Sequence, residues 1–155
     1  MYQRILVPVD GSETSNKALV TALQFARDFG GRVRLVHVVE EQTYLAGFDP
    51  YGYSGELVTV MREAGTRILD QGMAMAQSAG VAADSVLFDK SDQRMAETVA
   101  DAAKHWKADL IVAGTHGRRG LERALIGSGA EQIVRLAPVP TLVVRLPDGN
   151  SPSGA

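Results

Sequence analysis

The sequence predicts an open α/β sandwich, in which a five-stranded parallel sheet carries helices on both faces. Short apolar, β-branched runs alternate along the chain with segments whose apolar residues recur about every 3.6 positions. Nearly continuous apolar runs are typical of parallel strands that helices cover on both sides. With 155 residues, the chain is long enough for one domain with a single core.

Five strands and four helices are predicted, in strict alternation. The strand runs are residues 5–9, 33–39, 85–88, 110–113 and 141–144. Apolar stripes indicate helices around Ala18–Phe29, Met61–Ala79, Met95–Trp106 and Ala130–Ala137. Gly30-Gly31, Gly80 and Pro138 are expected to end the first, second and fourth helices, because glycine and proline commonly follow helix ends.

Two loops that follow predicted strands favour one order of the sheet. Asp10-Gly11-Ser12 follows the first strand, and Gly114-Thr115-His116-Gly117 follows the fourth. In a sheet of order 3-2-1-4-5 these strands are neighbours where the winding reverses, and ligands bind in the crevice at that point. We therefore predict this order. A flavodoxin-like order, 2-1-3-4-5, would separate the two loops.

The segment after the fourth strand is rich in glycine. Its glycines are Gly114, Gly117, Gly120, Gly127 and Gly129. Glycine lets backbone N–H groups come close to a phosphate. Ser128 and Glu131 have the spacing of a capping box, so the fourth helix is predicted to begin at Ser128 with free amides at its positive end. Arg118, Arg119 and Arg123 add positive charge, and the segment therefore indicates an anion site.

The common phosphate motifs are not present in this segment. The Walker tripeptide Gly-Lys-Ser/Thr does not occur in the chain, and the first strand leads into Val-Asp-Gly-Ser-Glu rather than the dinucleotide fingerprint. The spacing Gly114-x2-Gly117-x9-Gly127-Ser128 instead resembles the glycine signature of nucleotide-binding universal stress proteins. Residues 7–12, 35–38 and 138–144 also resemble that family, over about residues 2–146. The resemblance implies the 3-2-1-4-5 sheet, ATP binding and homodimers.

The resemblance also implies which residues hold the nucleotide. Asp10 would contact the nucleoside, and the Val38 backbone would meet adenine. The remaining implied site residues are Pro8, Val9, Gly114, Thr115, His116, Gly117, Arg118, Arg119, Gly127, Ser128, Gly129 and Ala130. Family members that bind ATP often carry valine and then serine or threonine where this chain has Gly129 and Ala130. One hydroxyl contact is therefore missing, and binding is expected to rest on backbone amides.

Simpler structural roles remain open for several of these positions. Asp10 also suits turn chemistry, and His37 lies in an apolar strand, which favours a packed, hydrogen-bonded core histidine. His116 and the two neighbouring arginines are as compatible with a structural or solubilising role as with phosphate contact. Loop 40–55 contains Tyr44, Phe48, Tyr51 and Tyr53, and could cover adenine, contact a partner subunit or fold onto its own domain.

The predicted function is that of a cytoplasmic, ATP-binding stress-response regulator. It would act as a nucleotide-dependent homodimeric switch or as a partner-binding module, with ADP or AMP as alternative ligands and Mg²⁺ bridging the phosphates. The fifth strand, residues 141–145, is expected to be an apolar sheet edge through which two chains pair. Open alternatives are a slow ATP-hydrolysing or adenylate-transferring enzyme and an interaction module with a non-binding site. No catalytic or metal-ligating residue is assigned.

Composition excludes several other classes of protein. The chain has no cysteine, three histidines and a net charge of −2, which argues against disulfide scaffolds, thiol catalysis and a broad nucleic-acid surface. No apolar run reaches the ~20 residues of a membrane helix. The N-terminus lacks the pattern of a signal peptide. Residues 1–146 are predicted to form the domain, and residues 147–155 a disordered tail.

Overall fold

The computed structural model describes residues 1–40, 55–89, 93–115 and 128–146, with the backbone alone for residues 55, 56 and 128. Within these ranges the strands are β1 (Arg4–Pro8), β2 (Arg32–Val38), β3 (Ala83–Phe88), β4 (Leu110–Gly114) and β5 (Thr141–Val144). The helices are α1 (Glu13–Phe29), α2 (Gly55–Ala79), α3 (Met95–Trp106) and α4 (Ser128–Leu136). Residues 41–54 of the aromatic loop and the predicted tail lie outside the described residues.

The five strands form one parallel sheet of order β3-β2-β1-β4-β5. The predicted order is confirmed, and the flavodoxin-like alternative is wrong. The central pair, β1 and β4, aligns Ile5 with Leu110 and Leu6 with Ile111. Strands β3 and β5 are the two edges. The carboxyl ends of β1 and β4 therefore lie side by side at the point where the winding reverses.

The core consists of two layers, one on each face of the sheet. Ile5 and Val7 pack with α1 and α2, whereas Leu6 between them packs with α3 and α4. All three side chains are fully buried. Since successive residues of a strand point to opposite faces, helices on both sides require apolar residues at every position. This explains the continuous apolar run in the sequence.

The predicted glycine ends of α1 and α2 are confirmed. Gly30 follows α1 in the left-handed conformation, with φ of 70°, and Ser12, which was not predicted as a cap, caps the start of that helix. Gly80 has the same φ just after α2. Helix α4 begins at Ser128, as predicted, but the side chain of Ser128 is not described, so its capping bond stays a prediction. Helix α2 begins at residue 55, earlier than the apolar stripe that starts at Met61.

Two arginines from the sheet lie over the ring of Trp106, the last residue of α3. The guanidinium carbons of Arg4 and Arg34 lie 4.5 and 4.8 Å from the ring centroid of Trp106. Arg34 also donates two hydrogen bonds of 2.8 Å to Asp84 on β3, which lowers the pKa of the Asp84 carboxyl. Because the Asp84 side chain is 54% exposed, this pair contributes about 1 kcal/mol or less.

Candidate functional site

A pocket of about 260 Å³ opens at the carboxyl ends of β1, β2 and β4. The starts of α1, α3 and α4 complete its walls. Eight of the residues expected to hold a nucleotide line this pocket: Pro8, Val9, Asp10, Val38, Gly114, Thr115, Gly129 and Ala130. The fold thus brings these eight residues together from four separate parts of the chain, in the crevice where doubly wound sheets bind ligands.

Six further predicted residues lie wholly or partly outside the described residues. His116, Gly117, Arg118, Arg119 and Gly127 lie outside the described residues, and only the backbone of Ser128 is described. Ser128 begins α4, and the next two residues line the pocket, so the amino end of this nine-residue helix borders it. The roles inferred for these six residues remain predictions.

Asp10 lies in a turn whose hydrogen bonds set the direction of its carboxylate. Its backbone N–H donates to Ser15 Oγ over 3.0 Å, and its Oδ1 accepts from the Ser12 N–H over 2.9 Å. Gly11 has φ of 82°, a conformation that favours glycine. Ser12 Oγ in turn accepts from the Ser15 N–H over 3.2 Å and caps α1. Asp10 thus both shapes the turn and faces the pocket, while Ser12 caps the helix.

Gly114 allows β4 to approach the first turn of α1 at backbone distance. A Cβ built on Gly114 would lie 2.8 Å from both the carbonyl carbon and the oxygen of Thr14, and 3.1 Å from the nitrogen of Ser15. Beside it, the N–H of the buried Thr115 donates to the Val144 carbonyl on β5 over 3.0 Å. The glycine at this position therefore has a packing role in addition to any contact with a ligand.

The pocket also contains residues that were not predicted from the sequence. Ser12, Thr14 and Ser15 come from the start of α1, and the other additional residues are Val36, His37, Glu40, Met95, Ala113 and Ile133. The sequence contains a signal for these three residues. Ser12, Thr14 and Ser15 follow Asp10 within five positions and lie at the start of α1, so a site at Asp10 brings them near the ligand as well. Met95 was interpreted as part of the apolar stripe of α3, and it is also a pocket residue.

His37 differs from its interpretation as a core histidine. Its ring is partly buried and lines the pocket, and Nδ1 lies 2.7 Å from the Val9 carbonyl oxygen. Because a carbonyl only accepts, Nδ1 carries the hydrogen of this bond. The expectation that His37 is hydrogen-bonded is confirmed.

The pocket has distinct apolar and polar parts. Val38, Met95 and Ile133 supply apolar surface, and a Cβ built on Gly129 would lie 3.1 Å from Met95 Cε. Asp10 and Glu40 are the acidic residues among the described lining, which contains no lysine or arginine. A site of this kind suits a ligand with a flat apolar part, hydroxyl groups that donate to a carboxylate, and an anionic group at the α4 amino end.

Two kinds of feature are absent from the described parts of the chain. No cluster of three or more histidine and carboxylate side chains there could hold a metal ion. No helix within those ranges has the length and apolar character needed to cross a bilayer.

The sheet order and the position of the pocket define a doubly wound α/β protein with a crevice at its switch point. The model of the universal stress protein family matches residues 1–145. A universal stress protein of Methanocaldococcus jannaschii is 35% identical over 148 residues, which cover 95% of this chain and 84% of the relative. The chain belongs to the universal stress protein family.

Solved structures agree with this assignment. A protein of the universal stress protein family from Burkholderia pseudomallei is 37% identical, with a TM-score of 0.75 over 92% of this chain and 95% of its own. A universal stress protein from Archaeoglobus fulgidus, solved in complex with dAMP, is 19% identical, with a TM-score of 0.67 over 92% of this chain and 98% of its own. An Arabidopsis thaliana family member with AMP bound is 16% identical, with a TM-score of 0.68 over 98% and 97%. At these lower identities the likeness shows the fold alone.

Proposed function

We propose that this chain binds ATP, with ADP or AMP as alternative ligands, and serves as a cytoplasmic regulatory protein of the stress response. The observation that carries the proposal is the pocket at the carboxyl ends of β1, β2 and β4. It joins Asp10, Val38 and Gly114 to the amino end of α4. Relatives of the same fold that hold AMP or dAMP support an adenine nucleotide as the ligand.

The nucleoside is proposed to lie on the β1–β2 side of the pocket. Val38 and Pro8 offer apolar surface to adenine. Val38 is the last residue of β2, so its backbone lies at the pocket. Asp10 Oδ1 is occupied by the Ser12 N–H, whereas Oδ2 has no donor among the described residues. A ribose hydroxyl is a suitable donor to this oxygen, because hydrogen bonds to a carboxylate are stronger than those between neutral groups.

The phosphates are proposed to lie between the end of β4 and the start of α4. The described residues there are Gly114, Thr115, Gly129 and Ala130. Backbone amides at a helix amino end and the helix dipole both favour an anion. His116, Gly117, Arg118, Arg119, Gly127 and Ser128 are proposed to complete this part of the site. Mg²⁺, where it takes part, would bridge the phosphates.

Isothermal titration with ATP, ADP and AMP tests the proposal. We expect saturable binding to the wild-type protein. Gly127→Val should weaken ATP binding at least about tenfold, or 1.4 kcal/mol, because the added side chain obstructs the backbone approach to phosphate. Ala130→Ser should bind as tightly or more tightly, since it adds a hydroxyl donor at a residue that lines the pocket.

Ala82→Val is the matched control. Ala82 is exposed and lies just before β3, at the opposite end of the strands from the pocket, so the same kind of added bulk should leave binding unchanged. If the wild-type protein binds none of the three nucleotides at millimolar concentration, the proposed function is wrong. Normal ATP binding by Gly127→Val would show that the phosphates do not lie against Gly127.

We further propose that the protein forms a two-fold homodimer through β5 and its flanks. Strand β5 pairs with β4 on one side only, and Thr141–Val144 contains no charged residue. Val134 and Leu136 in the preceding helix are 47% and 46% exposed. An apolar edge strand with exposed apolar neighbours tends to pair with another chain. Nucleotide occupancy is proposed to act on this dimer or on a surface that binds a protein partner.

Light scattering at micromolar concentration measures the mass of the assembly. The wild type should give twice the chain mass of 16.6 kDa. Val143→Lys should give the monomer, because lysine on an edge strand opposes pairing. Ser85→Lys, which places the same charge on the opposite edge at an exposed residue of β3, should remain dimeric. A monomeric wild type, or a dimeric Val143→Lys protein that unfolds normally in urea, would contradict the proposed interface.

A further inference from the structure

We propose that His37 is a positioning residue of the pocket, which fixes the peptide that places Asp10 against the ligand. The inference rests on the proposed function, because its consequence for binding requires a nucleotide in this site. His37 reaches Asp10 indirectly, through the Val9 carbonyl, by the 2.7 Å hydrogen bond from Nδ1.

The Val9–Asp10 peptide is held at both ends by side chains from different elements. At one end, the Val9 oxygen accepts from His37 Nδ1 on β2. At the other end, the Asp10 N–H donates to Ser15 Oγ on α1 over 3.0 Å. These two groups belong to a single planar unit, so bonds at its opposite edges prevent it from rotating. The orientation of this plane determines where the Asp10 side chain leaves the backbone.

The preceding peptide unit, which contains the Val9 N–H, is also hydrogen-bonded to β2. The Val9 N–H donates to the Val36 carbonyl over 2.8 Å, and Val9 is only 5% exposed. A buried carbonyl without a partner is costly, and the His37 ring provides that partner for Val9. Strand β2 therefore holds both polar groups of the Val9 backbone, one through its main chain and one through the His37 ring.

Helix α2 is shaped to receive the same ring. A Cβ built on Gly65 would lie 2.6 Å from His37 Cδ2 and 3.1 Å from His37 Nε2. Glycine is unfavourable inside a helix, yet Gly65 is a buried residue in the middle of α2. The absence of a side chain at residue 65 makes room for the imidazole. The ring is thus enclosed by β2, the turn after β1 and α2.

The proposal separates a positioning role from a purely structural one through two replacements. His37→Asn keeps an N–H donor near the place of Nδ1, whereas His37→Leu keeps a side chain of comparable size and removes the donor. If His37 positions Asp10, ATP affinity should fall at least about tenfold in His37→Leu and stay within about threefold of wild type in His37→Asn. If His37 were purely structural, either replacement would change the urea midpoint and leave the ATP affinity of the folded protein unchanged.

The experiment combines calorimetric titration with ATP and nuclear magnetic resonance of the protein without nucleotide. A long-range proton–nitrogen correlation should show the hydrogen of neutral His37 on Nδ1. Hydrogen exchange of the Asp10 amide should be faster in His37→Leu than in the wild type, and close to wild type in His37→Asn. These two readouts need no ligand, so they test the positioning role even if the proposed function fails.

Each outcome decides one of the two proposals. A wild type that binds no nucleotide rejects the proposed function. Faster exchange at Asp10 in His37→Leu alone would still support the positioning role. Equal ATP affinity in the wild type and His37→Leu overturns the positioning role while the proposed function stands. A hydrogen on Nε2 rather than Nδ1 in neutral His37 also overturns it, because the bond to Val9 would then lack its donor.

Discussion

Gly114→Ala is expected to lower the free energy of unfolding by about 3 kcal/mol, near the upper end for overpacking. The new Cβ would lie 2.8 Å from two backbone atoms of Thr14 and 3.1 Å from the Ser15 nitrogen. Backbone atoms in the first turn of a helix cannot rotate away as the end of a side chain can. Strand β4 or α1 must therefore shift. Urea denaturation with linear extrapolation measures the change.

Gly129→Ala is the matched control, because Gly129 also lines the pocket. Among the described residues, the new Cβ there would meet only Met95 Cε, at 3.1 Å, which is the end of a flexible side chain. Alanine is favoured over glycine in a helix by up to about 1 kcal/mol, so stability should be unchanged or higher. Equal stability of Gly114→Ala and the wild type would show that β4 does not approach α1 this closely.

The fold could be predicted from two features of the sequence. The hydrophobic patterns indicate the strands and helices, and the loops after the first and fourth strands indicate the order of the sheet. Ile5, Leu6 and Val7 are consecutive and fully buried, which is the direct result of helices on both faces. The order of the sheet was predicted from the loops after β1 and β4, and the structure places these two strands beside each other. The start of α2 was predicted too late, although the sequence contains the signal. Leu57 and Val58 lie four and three residues before Met61, so they continue the apolar stripe, and Val58 is buried.

The candidate site could be predicted only where chemistry is visible in the sequence. Asp10 and the glycines are unusual residues at strand ends, so the sequence indicates them directly. His37 and Met95 lie within apolar segments, where a residue of the core and a residue of a pocket wall follow the same pattern. Their role depends on neighbours distant in the chain, such as Val9 for His37 and Gly129 for Met95. Such contacts arise from helix and strand packing, which the sequence alone does not locate.

The second large effect is expected where α2 crosses β2, on the face of the sheet that α1 and α2 cover. Leu35 is fully buried in the middle of β2, and its side chain fills the space beside Gly72. Leu35→Ala removes that side chain and leaves a cavity. It should therefore lower the free energy of unfolding by about 3 kcal/mol, as measured by urea denaturation.

Gly72→Ala is expected to be destabilising for the opposite reason. Its Cβ would overlap Leu35 Cδ2 and would lie 3.2 Å from Leu19 Cδ2, and both leucines are fully buried. Overpacking costs about 1–3 kcal/mol, of which the better helix propensity of alanine offsets about 1 kcal/mol. In the double variant the new methyl group occupies part of the cavity at residue 35. The combined loss should then be smaller than the sum of the two single losses by at least about 1 kcal/mol, since contacting residues are not additive. Urea curves for the four proteins give this coupling. Additivity within about 0.5 kcal/mol would contradict the close contact between α2 and β2.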